Sequence, residues 1–307
     1  MIKQTLYFGN PAKLSVANEQ LRIVLAPGED NPEPRVATRP LEDIGIVVLD
    51  SPQVQLTAPV LEGLMRFGAA VLVCDRRHLP SGLMLNMEGH SSQAERFRIH
   101  LSASLPLKKQ LWQQTVSCKL RNQAAVLREV SGEETGNMLA WADRVRSGDP
   151  DNLEARGAVY YWQCYLRSFP GVNRDRYGDE PNAMLNYGYA ILRAVIARAL
   201  VSSGMHPSLG IHHRNKYNAY CLADDIMEPY RPYIDRLVYS IISEDPGATI
   251  EKTETKRRLL SVPVIDVDMG GVRRPLMVAA AETSSSLYKC FAGEARKIRY
   301  PEMRGDG

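Results

Sequence analysis

The sequence predicts an α+β protein: a β-rich, sandwich-like domain over residues 1–88, then a mostly α-helical domain over 89–307. Three observations carry this. Up to residue 88 the chain holds short alternating or wholly apolar runs separated by turn residues, as half-buried and buried strands do. Near residue 90 the apolar spacing changes to the period of helices. Asn182–Leu200 is apolar nearly all round, which fits a buried central helix.

Taken in order, Thr5–Phe8, Lys13–Ala17 and Gln20–Leu25 are strands, with Asn18-Glu19 turning a hairpin between the last two. Pro27–Pro40 is rich in Pro, Gly, Asn and charge and is expected to be an exposed loop. Ile44–Leu49 and Ala69–Cys74 are apolar strands, Thr57–Phe67 is a helix between them, and Leu83–Met87 is a short strand. Helical spacing then covers Ser92–His100, Leu105–Val130 and Thr135–Arg146, with Pro106 in a first turn. Trp112, Val116 and Leu120 form the apolar stripe of the second of these, and Lys108, Lys109, Lys119 and Arg121 are expected elsewhere on its surface. Asn152 caps a helix from Leu153 to about Ser168, with Glu154 in a first turn whose dipole favours a carboxylate. Beyond the central helix, Pro232–Ser243 is helical and Glu251–Arg258 is charged and exposed. Pro263–Asp268 and Val272–Met277 pair across Gly270-Gly271, and Ala279–Phe291 is a last helix before a basic tail.

The chain of 307 residues is 44% hydrophobic, enough for a proper core, and its net charge of +3 gives no global argument for nucleic acid. Distribution says more. From Ala94 to Arg128 seven Lys or Arg face a single acid, Glu95; this is either a phosphate-binding region or an ordinary helix surface. The five cysteines are scattered without a C-x-x-C, so reduced thiols in a cytoplasmic protein are expected. No signal peptide and no apolar run of membrane-spanning length is expected, so no membrane partner is predicted.

The chemistry concentrates in Gly210–Pro232, which holds His212, His213, Asp224, Asp225, Glu228 and Arg231. A helix is expected from about Asn218 to Met227. Asp224 and Asp225 are four and three residues before Glu228, so either pair can share a face. Acids that close repel unless a cation or shared proton compensates. A solvated acidic face is the plain alternative. His213 and Glu228 are fifteen residues apart, roughly 22 Å along one continuous helix, so a shared site requires a chain break, for which Asn215 and Asn218 are suited. The helix should end at Glu228, because Pro229 disfavours helical geometry in the residue before it. A mixed His and carboxylate set favours Mg²⁺ or Mn²⁺, and such ions pair with phosphate substrates. Zinc on His206, His212 and His213 is the weaker reading, because adjacent histidines chelate awkwardly and only Cys221 lies nearby. No glycine-rich phosphate loop, H-E-x-x-H or G-x-S-x-G occurs.

Glu154 on a helix, Asn182-x-x-Leu-Asn-Tyr-Gly-Tyr189, Leu209-Gly-Ile-His-His213 and Leu222-Ala-Asp-Asp-Ile-Met-Glu-Pro-Tyr-Arg-Pro232 follow one another in this order. This resembles the CRISPR spacer-acquisition integrase of the Cas-one family, most closely its type II branch. The resemblance implies metal ligands at Glu154, His213 and Glu228; His212 is the neighbouring alternative in the doublet. Asp225, Arg231 and Tyr187 are implied as supporting residues, and Lys108, Lys109, Lys119 and Arg121 as DNA-binding. It implies a metal-dependent integrase or endonuclease of antiviral defence that joins the 3′-hydroxyls of short DNA to repeat borders. Implied partners are double-stranded DNA (spacer precursor and CRISPR repeat), a second copy bound through the N-terminal domain, and a small ferredoxin-like adaptation protein. The type II effector nuclease is a further candidate. The competing readings are a non-catalytic DNA-binding assembly scaffold and a small-molecule metal phosphohydrolase.

Overall fold

The computed structural model describes residues 2–27, 33–175 and 178–303, and the chain divides into two compact units, 1–91 and 92–307.

The first unit holds two four-stranded sheets. One takes the order β1 (Gln4–Phe8), β5 (Ile44–Leu49), β7 (Ala70–Cys74), β8 (Pro80–Met84). Its first three strands are parallel and β8 returns antiparallel. The other takes the order β4 (Arg35–Pro40), β3 (Gln20–Leu25), β2 (Ala12–Ala17), β6 (Val54–Leu56), with β6 parallel to β2 and the rest antiparallel. Apolar residues of both sheets, among them Phe8, Leu14, Ile23, Ile44 and Val71, share one core with Val60 and Leu64 of helix α1 (Ala58–Arg66). The β2–β3 hairpin turns on Asn18 and Glu19, both at positive φ as such a tight turn requires. Two strands escaped the sequence reading. β4 lies in the stretch expected to be a loop, of which residues 28–32 fall outside the described residues; its alternation is masked by charge because it is a mostly exposed edge. β6 is only three residues long and leaves no periodicity to read.

The second unit is helical. α2 (Gln93–Ser102), α3 (Leu105–Ser131), α4 (Gly136–Arg144), α5 (Leu153–Tyr165), α6 (Asn182–Ser202), α7 (Cys221–Met227), α8 (Arg231–Glu244), α9 (Thr253–Leu259) and α10 (Leu276–Phe291) carry it, with a hairpin of β9 (Asp266–Asp268) and β10 (Arg273–Pro275). The hairpin turns at Gly270 and Gly271, both at positive φ, but its strands are shorter than expected. α3 packs on α4, α5 and α8, and α6 on α7, α8 and α10. By length and composition α6 does reach membrane-spanning character, yet 72% of its apolar window is buried inside this unit; it is a core helix wrapped by other helices. Gly157, one turn along α5 from Glu154, lies where a Cβ would overlap the Leu120 side chain, so its missing side chain lets α5 approach α3.

Candidate active site

Glu154 stands at the first turn of α5. The expected cap, Asn152, is left-handed and makes no capping bond. Asp149 does the work instead, accepting the Leu153 and Glu154 amides at 2.9 Å each and thereby satisfying two of the helix's unpaired donors.

Glu228 sits between α7 and α8. The chain does not end its helical course there. A one-turn 3-10 segment over Glu228–Tyr230 links the two helices, and Glu228 keeps helical angles (φ −53°, ψ −45°) despite Pro229. Proline is tolerated in a first helical turn, where it has no bond to lose. The Pro229 carbonyl is held from α3, accepting Asn122 Nδ2 at 2.7 Å. The same amide group donates to Pro301 O at 3.0 Å and accepts Met303 N at 2.9 Å, tying the basic tail to this turn.

His213 lies in the irregular stretch between α6 and α7, and that stretch is pinned at several points. Arg96 and His100 of α2 donate to the carbonyls of Ser203 and Leu209 at 2.9 Å. Because His100 is buried, its pKa is pushed down to about 4, so it serves as a neutral donor. The Pro207 carbonyl caps α7 by accepting Leu222 N at 2.7 Å. The expected break at Asn215–Asn218 is present. Asn215 and Asn218 work there as turn residues, their side chains accepting the amides of Tyr217 (3.0 Å) and Tyr220 (2.9 Å). Gly210 allows close passage: a Cβ there would lie 2.8 Å from Asp225 Oδ2.

Asp225, wholly buried, organises the doublet. It accepts the amides of His212 (2.9 Å) and His213 (3.3 Å) and pairs with His213 Nδ1. A carboxylate can only accept, so Nδ1 carries the proton and a neutral ring keeps its lone pair on Nε2. The hydrogen bond to Asp225 raises the His213 pKa, aided by Glu228 and Glu154. His212 is lowered, first by burial and then by His213. Its ring stacks flat on Trp112 (centroids 4.1 Å apart, planes 5° apart), while His213 meets Trp112 edge-on at 5.6 Å. Packing thus occupies His212 and leaves His213 as the polar partner of the acids.

The two glutamates meet at Lys119. Its ammonium pairs with Glu154 and, at 2.6 Å, with Glu228 Oε2; Arg231 Nε takes Glu228 Oε1 at 2.9 Å. Burial would raise the Glu228 pKa, but Arg231 and Lys119 together outweigh it and hold the carboxyl down at about 2. For Lys119 the balance runs the other way: burial lowers it, and the two glutamates win and raise it. Among the described residues no three His, Cys, Asp or Glu stand close enough to hold one ion. The donor chemistry still fits a hard divalent ion, because two carboxylates already converge on one cation and a fixed imidazole is beside them.

Other expected residues fall differently. Lys119, at 6% exposure, is no surface phosphate contact. It is three residues from Val116 and seven from Trp112, hence on the buried stripe, and a lysine at such spacing is the signal that an acid waits opposite. Lys109 and Arg121 are exposed, Arg121 pairing with Asp143, and Lys108 is half-buried. Asp224 is claimed by Arg193 (2.6 Å) and Asn218 (2.7 Å). Tyr187 is buried in α6. Tyr189, two residues on, lies with its ring 4.7 Å beneath the Arg231 guanidinium.

A chain with a β-rich first unit and a helical second unit that gathers acids and an imidazole has solved relatives. The fold is similar to a casposase bound to integration product (TM-score 0.82, 20% identity, covering 100% of this chain and 96% of that one). It is also similar to a CAS1 protein from Thermotoga maritima (TM-score 0.75, 15% identity, 98% and 100% covered). The family model for CRISPR associated protein Cas1 matches residues 6–257. A CRISPR-associated endonuclease Cas1 from Neisseria meningitidis is 39% identical over 250 residues, 80% of this chain and 77% of its own length. One from Pyrobaculum aerophilum is 29% identical over 267 residues, 82% and 89% respectively. The chain therefore belongs to the Cas1 family, and its class is that of the CRISPR-associated nucleases.

Proposed function

We propose that this chain is the metal-dependent integrase of CRISPR adaptation, joining the 3′-hydroxyl ends of short foreign DNA to the borders of the CRISPR repeat by transesterification. The observation that supports it most is the convergence of Glu154 and Glu228, from elements seventy-four residues apart, on one cation beside an imidazole fixed by Asp225. Glu154, His213 and Glu228 would hold Mg²⁺ or Mn²⁺, which when bound polarises a phosphate and favours ionisation of a hydroxyl. Asp225 keeps the His213 ring oriented, and Arg231 keeps Glu228 ionised. Burial raises the thiols of Cys118 and Cys221 and so keeps them protonated. The nucleophile is then the DNA 3′-hydroxyl.

The β-rich unit is the dimerisation domain in this reading, which its exposed Val36 and Val73 support. A small ferredoxin-like adaptation protein joins the dimer; a solved Cas6-RT-Cas1–Cas2 complex contains a chain of similar fold (TM-score 0.76, 18% identity, 98% of this chain and 36% of that one). The reaction is placed in the cytoplasm, with the type II effector nuclease as a further partner. The test is incubation of the protein with a short duplex and a supercoiled CRISPR-repeat plasmid. Joining is expected with Mg²⁺ or Mn²⁺ and a free 3′-hydroxyl. Normal joining in EDTA, or from a 3′-dideoxy donor, rules the reading out.

A further inference from the structure

Lys119 occupies a chemically odd place, a buried cation between two carboxylates. Its ammonium is the only group among the described residues that pairs with both glutamates of the site. Its stem is buried on α3 among Trp112, Val116 and Leu120, so the cation is built in. Apart from it, Asp149 holds the Glu154 backbone amide, and Arg231 holds the Glu228 carboxylate while Asn122 holds the neighbouring Pro229 carbonyl.

From this geometry we infer that Lys119 is a resident competitor for the divalent ion: its ammonium neutralises Glu154 and Glu228 in the metal-free protein, and an ion held by both must displace it. The inference rests on the reading that these two glutamates are the metal ligands. An ion and an ammonium cannot fill the same space between two oxygens, and they repel as like charges. The four-carbon stem lets the ammonium swing aside without moving the helix. Two consequences follow. The metal-free site stays folded without a buried like-charge pair, and the ion binds more weakly than the same acids would hold it alone.

The experiment is a Mn²⁺ titration of the full chain, without DNA, followed by electron paramagnetic resonance and by calorimetry. Lys119→Met keeps the length of the side chain and removes its charge. It is expected to bind Mn²⁺ at least about tenfold more tightly, about 1.4 kcal/mol. Its metal-free melting temperature should fall, and Mn²⁺ should restore it by more than it raises the wild type. Lys119→Arg, which keeps the charge, should bind Mn²⁺ no more tightly than wild type, and it preserves the test should Lys119→Met fail to fold. Folded Lys119→Met with unchanged or weaker affinity overturns the inference, as does tighter binding by Lys119→Arg. Glu228→Gln separates the two readings. If it leaves Mn²⁺ affinity untouched, the ligand assignment itself fails. If it weakens binding while Lys119→Met does not tighten it, the ligands stand and the competition alone is wrong.

Discussion

Glu228 and Asp235 lie seven residues apart in one helical unit, and both are buried, at 8% and 1% exposure. Their fates are opposite. For each, burial is the largest influence and pushes the pKa up. At Glu228 two full cations overcome it and the carboxyl falls to about 2. At Asp235 the main partners are neutral, the hydroxyls of Tyr189 and, at 2.7 Å, Tyr161; with more distant help from Arg231 and Arg174 they offset burial only in part, and the carboxyl stands at about 6. The difference teaches that burial does not decide a carboxylate's state here; the charge of its partners does. One acid is kept ionised, as the proposed ion ligand must be, and the other is a structural knot joining α5, α6 and α8.

The comparison breaks most visibly in catalysis. Glu154→Ala and Glu228→Ala should each lose strand transfer almost completely, by about two orders of magnitude or more, while DNA binding by gel shift persists. Asp235→Asn should keep most of the joining in a folded sample; loss as deep as at Glu228 would erase the distinction between site and knot.

The doublet sharpens the comparison next. His213→Ala should abolish joining, and His212→Ala should retain much of it, because His212 is taken up by Trp112. The reverse ranking would move the ligand by one residue.

Stability against pH should tilt in opposite directions. Glu228 is depressed from 4.5 to about 2, so its contribution is fully present above 4.5 and is lost as pH falls toward 2. Asp235 is raised from 3.8 to about 6, so its contribution is fully present below 3.8 and is lost as pH rises through 6. Each spans on the order of 3 kcal/mol. Urea unfolding should show the advantage of wild type over Glu228→Gln shrinking below pH 4.5. It should show Asp235→Asn gaining on wild type between pH 4 and about 6. Parallel curves would mean the partners do not control these groups.

The smallest effect belongs to the outer face of α3. Replacing Lys108, Lys109 and Arg121 together with Ala should weaken DNA binding for all sequences, flattening its salt dependence by about one unit of slope per lost phosphate contact. An unchanged slope would leave them as solvated charges.

Much of this was legible in the sequence, for identifiable reasons. α6 and the hairpin at Asn18-Glu19 announce themselves because their patterns depend on near neighbours. Glu154 stands out as a helix-start acid, since its place in the first turn depends only on neighbouring residues. The roles that require a distant partner were not legible. Asp149 caps α5 from four residues upstream, where Asn152 looked the better cap. The spacing of Lys119 from Trp112 and Val116 marks it as buried, but which acids it meets is not legible, because they lie on α5 and beyond α7. Asn122 serves Pro229 and the tail, neither visible from α3 alone.

The central claim is that Glu154, His213 and Glu228 form one ion-holding site. Anomalous diffraction from a crystal grown with Mn²⁺ tests it most directly. The account predicts a manganese peak bonded to a carboxylate oxygen of each glutamate and to His213 Nε2, at about 2.0–2.3 Å. A peak elsewhere, with the two glutamates still closed on Lys119, would contradict it.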